Sequence, residues 1–580
     1  RRLEQRDFVY EQVESMMAGQ TEYRFRHVLV RDVCYQRLPR TARVACHERT
    51  AEWLDAQSAG RDTDLAEVLA HHRWAAHEIA RTLNVNTERY AVAAREALHR
   101  AARRAHALHA LDTAAVHATR ALALYDAGSE EIDKLELELL ATEISFYRDE
   151  DTFLAGAGRE RIADLADRLH LLGRKSVAAR AWTLLGQAAW VTADRATAWS
   201  SLDRAIELFE ALPDSADKAD AYAELSRFQM LCFERDRAIA AAGVAEAIAG
   251  RLGLLEVQAN ARITAGTARY QAGDRTGLAE LEAVTEFCRE HRLVALRRAT
   301  NNLAWAVFEE GDWVRSQELI VESEATVVGG QSLTTGYSAE TMRACYAGDF
   351  DRLLVEADAY VDRPTGRWDV QVRGLRWWVR TLRDEPFDEA AEADVAQMLA
   401  MARDSGFHRP RWAALATAAL CRALQDRPDE AATLLDELVR TWREVQAPAL
   451  PSGEWIGAAA YAATLTDRDS AAALCELLEA VAHRTPWAEA ALRTVTAAVA
   501  DADGDPERAG RLYGEAAEIY EGIPDTTDRM MALAMSADAL VRAGREAAAA
   551  GILRQVRTFA VRNRAAGLLR LAGVKAAPAV

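Results

Sequence analysis

The feature that most constrains the fold is the regular punctuation of a sequence that otherwise favours helix. Ala and Leu are abundant, β-branched runs are rare and only 12 prolines occur, so nearly the whole chain is predicted to be α-helical. Short clusters of turn-forming residues interrupt the helical stretches roughly every 40 residues, a period typical of helical repeat proteins. These clusters lie near Asp112, Asp149, Asp194, Asp236, Asp274, Asp312, Asp349, Pro386, Pro428, Asp467, Asp505 and Gly544.

The size of the chain agrees with an array rather than one globule. A chain of 580 residues, 50% hydrophobic and 28% charged, can bury a large core but exceeds the length of one compact domain. One helical hairpin cannot bury both of its apolar faces, so neighbouring hairpins must stack. The sequence therefore predicts an all-α solenoid of roughly twelve hairpins that form a superhelix, with the first helix of each hairpin lining a concave groove.

Charge and cysteine usage restrict the partners and the compartment. A formal charge of -18 argues against a broad nucleic-acid footprint, which needs clustered Lys and Arg. The seven cysteines include no CxxC pair, which argues against a disulfide framework or a thiolate zinc site and predicts a reducing, cytoplasmic location. No apolar run approaches the roughly 20 residues of a membrane helix, so we expect no membrane partner.

The residues within one period resemble the tetratricopeptide (TPR) family. In "NNLAWAVFEEGDWVRSQELI" a Leu-Ala pair falls where that family places Leu-Gly, and a large residue, a Gly-Asp-Trp turn and a small residue follow at the family's positions. These residues are Leu303, Ala304, Val307, Gly311, Asp312, Trp313 and Ser316. The stretch "LLGQAAWVTADRATAWSSLDRAIELF" matches at Leu185, Gly186, Ala189, Ala198, Leu202 and Ala205. The periods exceed the family's usual length, so the resemblance is to longer-helix variants found in bacterial signalling proteins.

The first 58 residues differ from the repeats. "EYRFR" alternates like a short strand, and "HVLVRDVCYQRL" is predicted to be an amphipathic helix that ends before Pro39. A second helix is predicted in "ARVACHERTAEWLDAQ", with Val44, His47, Ala51 and Leu54 on one face. A strand followed by helices is typical of the end of a winged-helix domain.

This segment resembles the junction between the winged helix and the repeats in STAND-type (AAA/NACHT-like) ATPases. That class includes actinobacterial cyclase-linked ATPases, large LuxR-type activators and plant immune receptors. The residues that carry the resemblance are Phe25, Arg26, His27, Leu29, Arg31, Asp32, Val33, Tyr35, Leu38, Pro39 and His47. Arg26 and Val28 replace the Met and Asp of the plant receptors' Met-His-Asp motif, so only the histidine carries over.

The resemblance implies a domain plan and a cofactor outside this chain. It places the end of a winged-helix domain and a linker helix at 1–58, transition helices at 59–86, a TPR-like superhelical sensor domain at 87–560, and a capping helix and tail at 561–580. An upstream domain would bind ATP or ADP, and no cofactor is expected in the chain itself. The C-terminal stretch shows no helix-turn-helix pattern, which favours a nucleotide cyclase or a bare ATPase over a DNA-binding output.

The resemblance also implies a role for His27. In the family the motif histidine reaches the bound ADP phosphates and stabilises the resting state, so His27 would sense nucleotide together with the upstream domain. An imidazole suits this role because its ring nitrogens can donate to a phosphate oxygen. The alternative is a hydrogen-bonded core histidine at a strand–helix junction.

The chain carries no recognised catalytic or metal-binding motif. GxxxxGK[ST], HExxH, GxSxG and kinase signatures are all missing from the sequence, so we expect no enzyme activity from this chain alone. Nine of the 13 histidines precede residue 118, and His99, His106 and His109 would share one helical face. Their spacing along that helix prevents all three from converging on one ion, so no metal site is predicted.

A cationic and aromatic cluster in the middle of the array is the predicted ligand site. Arg373, Arg376, Trp377 and Arg380 would share one face of a first helix in an otherwise acidic protein. Neighbouring first helices add the remaining members of the predicted groove site, Arg297, Arg298, Asn301, Asn302, Arg409 and Trp412. Such a groove would bind a protein, a peptide or a small anionic effector. The alternative is that the tryptophans are core and the arginines pair with internal carboxylates.

Together these observations favour a regulatory arm over an enzyme. Ligand binding in the groove would relieve a nucleotide-dependent autoinhibited state of the attached ATPase, and could induce an oligomer. The alternative is a TPR scaffold that joins partner proteins and has no switching role.

Overall fold

The computed structural model describes residues 2–12, 20–57, 65–85, 87–125, 131–192, 194–325, 334–361, 370–445, 450–523 and 525–574. Within these ranges the fold is an all-α solenoid with 29 α-helices and one small antiparallel sheet. The chain divides into two compact units, Arg1–Val177 and Ala178–Val580, which we call unit 1 and unit 2. No described helix is both long enough and apolar enough to cross a membrane.

Unit 1 begins with a β-hairpin and continues as helices. Its elements are β1 (Val9–Glu11), β2 (Tyr23–Phe25), α1 (Val28–Arg37), α2 (Arg40–Gln57), α3 (Ala66–Leu83), α4 (Thr87–Ala107), α5 (Leu111–Leu122), α6 (Glu131–Arg148), α7 (Glu150–Ala155) and α8 (Gly158–Leu171). The two strands are antiparallel, with Val9 opposite Phe25. The predicted strand at "EYRFR" and the predicted helix that ends before Pro39 are both confirmed.

Helix α2 packs into the helical stack of unit 1 through one face, as its periodicity predicts. Val44, His47, Ala51 and Leu54 are all buried at successive turns of the helix. Ala51 and Leu54 share a core with Leu69 of α3 and with alanines of α4 and α5, whose small side chains let the helices approach closely. The predicted region 1–58 therefore contains both the N-terminal hairpin and the first helix of the stack.

Unit 2 consists of ten helical hairpins and a short final helix. Its helices are α9 (Lys175–Val191, which begins just before the boundary), α10 (Arg195–Glu210), α11 (Ala216–Leu231), α12 (Arg235–Leu252), α13 (Leu255–Gln271), α14 (Thr276–His291), α15 (Leu296–Glu309), α16 (Trp313–Ala325), α17 (Thr334–Ala347), α18 (Phe350–Val361), α19 (Val370–Leu382), α20 (Glu389–Asp404), α21 (His408–Leu424), α22 (Pro428–Arg443), α23 (Ile456–Thr466), α24 (Arg468–Ala480), α25 (Pro486–Ala502), α26 (Pro506–Gly522), α27 (Thr526–Arg542), α28 (Glu546–Asn563) and α29 (Ala566–Leu571). With α4–α5 and α6–α8 of unit 1, the described helices from α4 onward form twelve hairpins, which agrees with the roughly twelve that the turn spacing predicts.

The predicted turn clusters all fall at helix junctions or helix starts, and their residue types explain why. Asp194, Asp467 and Asp505 cap the second helices of their hairpins by accepting hydrogen bonds from backbone N–H groups at 3.1, 2.7 and 3.0 Å. Each caps a donor that the first helical turn leaves unpaired. Gly311 has a φ of +85° and a Cβ there would lie 2.7 Å from Ile523, so the junction requires glycine.

The hairpins of unit 2 contact not only their neighbours but also hairpins far away in sequence. Trp190 of α9 packs edge-on against Phe407, the residue before α21, with ring centroids 4.8 Å apart. Phe308 of α15 packs against Trp487 of α25 at the same centroid distance, and the Trp487 Nε1 donates to the backbone oxygen of Phe308 at 3.1 Å. The first helices of the early hairpins therefore contact the starts of the late ones.

A third contact of this kind joins the turn before α18 to α28. The Phe350 backbone N–H donates to Asn563 Oδ1 at 3.2 Å. Gly348 precedes it with a φ of +66°, and a Cβ at this position would lie 2.5 Å from the ring of Phe559. Because both the backbone conformation and the close approach exclude a side chain, this glycine is needed for the array to close.

Candidate functional site

The three α19 arginines of the predicted ligand site lie against the second helices of two hairpins. Arg376 Nε donates to Asp358 Oδ1 of α18 at 2.5 Å, and Arg380 Nη2 donates to both oxygens of the same carboxylate at 3.1 Å. Arg373 forms an ion pair with Asp394 of α20. All three cations therefore face a carboxylate of unit 2.

The aromatic member of this cluster is also engaged. Trp377 is buried and its Nε1 donates to Asp394 Oδ2 at 2.6 Å. The guanidinium carbons of Arg376 and Arg380 lie 5.3 and 5.6 Å from the centroid of its ring. Carboxylates of the neighbouring second helices thus neutralise these cations, as the alternative interpretation of the cluster expects. A ligand at this cluster would have to displace Asp358 or Asp394.

Arg409 joins two of the predicted groove helices. It lies on α21, donates from Nε to Glu454 Oε2 at 2.7 Å, and places its guanidinium carbon 4.9 Å from the ring centroid of Trp305 on α15. Trp305 Nε1 in turn donates to Glu309 Oε1 at 2.9 Å. Although two hairpins separate α15 from α21 in sequence, the helices meet here. We call Trp305, Glu309, Arg409 and the turn 452–454 the polar seam.

Glu309 is the most deeply buried acid of the polar seam. Its side chain accepts hydrogen bonds from Ser452 Oγ and from the Gly453 backbone N–H, the latter at 2.9 Å. Burial raises the pKa of Glu309 to about 7, while these hydrogen bonds and the charge of Arg409 act in the opposite direction. This carboxyl group therefore changes its protonation state near neutral pH. It does so at the contact between Glu309 and Ser452, which lie 143 positions apart in sequence.

Arg298 of α15 is held by the preceding hairpin through neutral oxygens. It donates to the backbone oxygen and to Oδ1 of Asn260 at 3.0 and 3.1 Å, and to Thr264 Oγ1 at 2.7 Å. Burial lowers the pKa of Arg298 to about 10. Both terminal nitrogens of the Arg298 guanidinium therefore already donate to oxygens of the protein.

The other predicted groove residues have different surroundings. Asn302 Nδ2 donates to Thr267 Oγ1 at 3.1 Å, Arg297 is half-buried, and Asn301 is exposed. Trp412 is fully buried among aromatic rings whose centroids lie 5.4 to 6.0 Å away. The structure thus brings Arg409 to α15 but does not gather all the predicted residues into one open groove. Ligand binding at any of them stays a prediction.

Helix α27 begins at a second buried polar contact, which we call the α27 hub. Asp525 caps the helix by accepting from the Asp528 N–H at 3.0 Å. Tyr461 of α23 donates from its hydroxyl to the backbone oxygen of Asp528 at 2.8 Å, and Thr527 donates to the backbone oxygen of Cys345 on α17. Three first helices, α17, α23 and α27, are therefore joined by hydrogen bonds at one place.

Asp525 and Asp528, the two acids of the α27 hub, lack in the described part of the chain cationic partners of the kind that Asp358 and Asp394 have on α19. Burial raises the pKa of both Asp525 and Asp528, and the charge of Asp528 raises that of Asp525 further. Among the described residues no ion pair joins either carboxylate to a cation. A cavity of about 20 Å³ lies beside them, and Tyr346, Gln371 and Trp378 contribute to its wall.

His27 lies at the N-cap of α1 and is exposed. Its backbone oxygen accepts from the N–H groups of Val30 and Arg31 at 3.1 and 3.3 Å, but its side chain does not cap the helix. The alternative interpretation of a buried core histidine is therefore wrong. The nucleotide-sensing role stays a prediction, because it depends on an upstream domain.

The β-hairpin and α1 together expose an apolar face. None of the ten residues of α1 is buried. Val28, Leu29 and Val33 of α1 are 58%, 73% and 55% exposed, and Tyr23 and Phe25 of β2 are exposed beside them. We call these five residues the N-terminal apolar face. Strand β2 and helix α1 contact each other, and large apolar side chains exposed together on adjacent elements have the character of an interaction surface.

The histidines near the start of the chain do not lie as their spacing predicts. Helix α4 ends at Ala107, and His109 follows it with a φ of +55°, so His109 does not share a helical face with His99 and His106. His106 instead lies 4.0 Å from Glu143 of α6. In the part of the chain that the structure describes, no group of three His, Cys, Asp or Glu side chains could hold a metal ion.

The sequence alone does not single out the buried acids of the seam and the hub. Glu309 is one of two adjacent glutamates in a turn, and Asp525 and Asp528 look like ordinary N-terminal helix residues. Their partners lie far away in sequence, 143 residues in the case of Ser452. The only local signal is the capping pattern at Asp525, and it indicates a helix start rather than a site.

Comparisons with known proteins do not place the chain in a family. No protein-family model and no curated protein matches it. Solved structures with some similarity include a Rap protein complexed with competence and sporulation factor (10% identity, TM-score 0.30, covering 82% of this chain and 98% of that one) and yeast Tom70 (12%, 0.29, 86% and 97%). A circular tandem repeat protein with novel repeat topology matches at 12% identity and a TM-score of 0.12, covering 91% and 98%. These TM-scores are too low to support the fold, which follows instead from the helices and contacts described above.

Proposed function

We propose that this chain is the non-catalytic regulatory arm of a STAND-type signalling ATPase. In this proposal the N-terminal apolar face docks against a nucleotide-binding domain of the same polypeptide. The helical array binds a protein, a peptide or a small anionic ligand, and binding relieves an autoinhibited state. The proposal assigns no reaction to residues 1–580.

The observation that carries the proposal is the N-terminal apolar face. Helix α1 buries none of its ten residues, whereas the next helix, α2, buries a full face in the stack. A helix with Leu29 and Val33 open to water is stabilised when another surface covers them, by roughly 1.5 to 3 kcal/mol for each fully buried side chain. His27 lies at the start of the same helix, where a docked nucleotide domain would contact it.

The polar seam supplies a candidate for the switching element. It joins distant hairpins through Glu309 and Arg409, both of which lie on first helices that line the predicted groove. A ligand that competes for the seam would favour an open array. Such a ligand can shift the equilibrium only as far as its affinities for the open and closed arrays differ.

The test compares residues 1–580 with the longest polypeptide that the gene encodes. We expect the amides of α1 to exchange with deuterium at least tenfold more slowly in the longer polypeptide, because docking covers the apolar face. Leu29→Asp combined with Val33→Asp should abolish this protection. Val561→Asp is the matched control, since Val561 is equally exposed but lies in unit 2. Equal exchange in both polypeptides, or a longer polypeptide without a nucleotide-binding domain, would overturn the proposal.

A scaffold without a switching role is the second candidate. It is favoured by the internal pairing of Arg373, Arg376, Arg380 and Arg409, because carboxylates of unit 2 already neutralise these four cations of the predicted ligand site. Spin labels at the exposed Val314 and Val541 of unit 2 separate the two candidates. In the longer polypeptide, a label distance that changes between ADP and a non-hydrolysable ATP analogue supports the regulatory arm. An unchanged distance supports the scaffold.

A further inference from the structure

We propose that the cavity at the α27 hub is a binding site for one water molecule, which joins α19 to α27 and completes the closed array of unit 2. The proposal does not depend on the proposed function. It rests on the size of the cavity and on the polar atoms that its walls leave without a protein partner.

The walls of the cavity carry polar atoms of both kinds. Trp378 Nε1, an obligatory donor, has no hydrogen-bond partner, although the residue is only 4% exposed. The buried oxygens Asp525 Oδ2 and Asp528 Oδ1 receive no hydrogen bond from an N–H or hydroxyl group of the described chain, although the two carboxyl groups share a hydrogen bond with each other, and Gln371 Nε2 is a further unpaired donor. All four side chains line the same cavity. Leaving the two donors unpaired would cost roughly 1 to 3 kcal/mol each, so we infer that a ligand pairs them with the acceptor oxygens.

The size of the cavity restricts the ligand to a single small molecule. Its volume is about 20 Å³, and a space of roughly 10 to 15 Å³ holds one water. An amino acid or a nucleotide does not fit without movement of the surrounding helices. The hub contacts oppose such movement, because Thr527, Tyr461 and Cys345 join α17, α23 and α27 there.

The chemistry of the walls selects a molecule that both donates and accepts. Ammonium has the right size but can only donate, and it would leave Trp378 Nε1 unpaired. A halide could accept from Trp378 but would face the two carboxyl groups. Water donates two hydrogen bonds, accepts two, and can therefore pair Trp378 and Gln371 of α19 with Asp525 and Asp528 of α27.

The direct test is a crystal structure of residues 1–580. We expect one ordered water within roughly 2.7 to 3.2 Å of Trp378 Nε1 and of at least one of the two carboxyl groups. A dry cavity would overturn the proposal, and so would a peak with the coordination of a cation.

A solution test uses a double-mutant cycle between the two walls. Trp378→Phe keeps the ring and removes the donor, and we expect it to raise the unfolding equilibrium constant of unit 2 about fivefold. In an Asp528→Leu background the same change should have an effect of about twofold or less, because leucine offers the water no acceptor. Should Asp528→Leu fail to fold, Gln371→Leu replaces it in the cycle, because it removes a donor to the same water from the α19 side.

Trp182→Phe is the matched control for this cycle. The Nε1 of Trp182 is also buried without a hydrogen-bond partner, but Trp182 does not line the cavity. Trp182→Phe should change the unfolding equilibrium constant by the same factor with and without Asp528→Leu. If Trp378→Phe also has the same effect in both backgrounds, the proposal is overturned. A second arm compares ammonium chloride with sodium chloride at pH 8. A Tm increase that is specific to ammonium and lost in Asp528→Asn would indicate a cation in the site and would also overturn it.

Discussion

Burial removes four histidines of unit 1 from water, whereas in unit 2 it removes three carboxyl groups. Burial lowers the pKa of His47, His72, His77 and His117 in unit 1. Burial raises the pKa of Glu309, Asp525 and Asp528 in unit 2. The same physical cause, loss of hydration of the charged form, therefore acts on opposite charges in the two units.

The unit 1 group is a short chain of hydrogen bonds between three helices. Tyr35 of α1 bonds to His47 Nε2 of α2 at 2.8 Å, and His47 Nδ1 bonds to His72 Nδ1 of α3 at 2.9 Å. Between the two Nδ1 atoms one ring must donate and the other accept, so this bond cannot form when both rings are doubly protonated. Burial and the charges of His47 and His71 lower the pKa of His72 to about 4.

Because burial acts on groups of opposite charge, the two units should respond to pH in opposite directions. A histidine with a lowered folded pKa contributes stability above its unfolded pKa of about 6.5, and that contribution is lost as pH falls towards the folded pKa. A carboxyl group with a raised folded pKa contributes stability below its unfolded pKa, and that contribution is lost as pH rises through the folded value. Within unit 2, His408, whose pKa burial lowers, and Glu437, whose pKa Arg403 and Arg411 lower, respond in the opposite sense.

The largest effect is expected from removing the cation of the polar seam. Arg409→Ala leaves Glu309 and Glu454 without their positive partner, and we expect unit 2 to lose about 3 kcal/mol of unfolding free energy at pH 7. Urea titrations read by pulsed hydrogen exchange measure the two units separately, and unit 1 should be unchanged. Arg237→Ala is the control, because Arg237 pairs with Glu234 on the surface and its loss should cost less than about 0.5 kcal/mol. Equal effects of the two changes would contradict the importance of the seam.

The second prediction concerns the pH dependence of unit 2. The folded pKa of Glu309 is about 7, against an unfolded value of about 4.5, so Glu309 should lower the unfolding free energy of unit 2 by about 2 to 3 kcal/mol between pH 5 and pH 8. The two acids of the α27 hub, whose pKa burial also raises, add to this fall, so Glu309→Gln should remove the share of Glu309 and leave theirs. The measurement stays above pH 5 because Glu437, whose pKa Arg403 and Arg411 lower to about 2, responds in the opposite sense in more acidic solution. If the pH dependence of the unfolding free energy is unchanged in Glu309→Gln, groups other than Glu309 cause it.

A smaller effect of opposite sign is expected in unit 1. Between pH 6.5 and pH 4.5 the unfolded chain binds a proton at His72 that the folded chain does not bind. The unfolding free energy of unit 1 should therefore fall by about 1 kcal/mol over this range, a value reduced because the ring is partly exposed. His72→Asn should flatten this loss, because Asn can bond to His47 without titrating. His109→Asn, at an exposed histidine, should leave it unchanged. If acid instead stabilises unit 1, the comparison between the units fails.

The smallest effect is expected from Tyr35→Phe, which removes the hydroxyl bonded to His47. We expect the free energy of local opening of α1 to fall by about 0.5 to 1 kcal/mol. The measurement is faster amide exchange that is confined to residues 28–37. Arg43 should keep part of the attachment, since it donates to the backbone oxygens of Leu38 and Gln36 at 2.9 Å. Faster exchange across the whole of unit 1 would show that the hydroxyl supports the stack rather than α1.

Local sequence determined most of the fold because helices and turns depend on neighbouring residues. The positions of Asp194, Asp467 and Asp505 predict helix starts, and each proves to be a capping residue. The period of the turn clusters predicts the number of hairpins, which the described chain contains. The buried face of α2, from Val44 to Leu54, follows from helical periodicity alone.

Tertiary structure alone decided what lies opposite each helical face, and with it the character of the candidate sites. Periodicity correctly places Arg373, Arg376 and Arg380 on one face of α19, but it cannot show that Asp358 and Asp394 face them. The polar seam and the α27 hub are likewise invisible in the sequence, because their partners lie on helices far apart in the chain. Helical propensity and capping act over a few residues, whereas the burial and pairing that set charge and pKa depend on which distant surfaces meet.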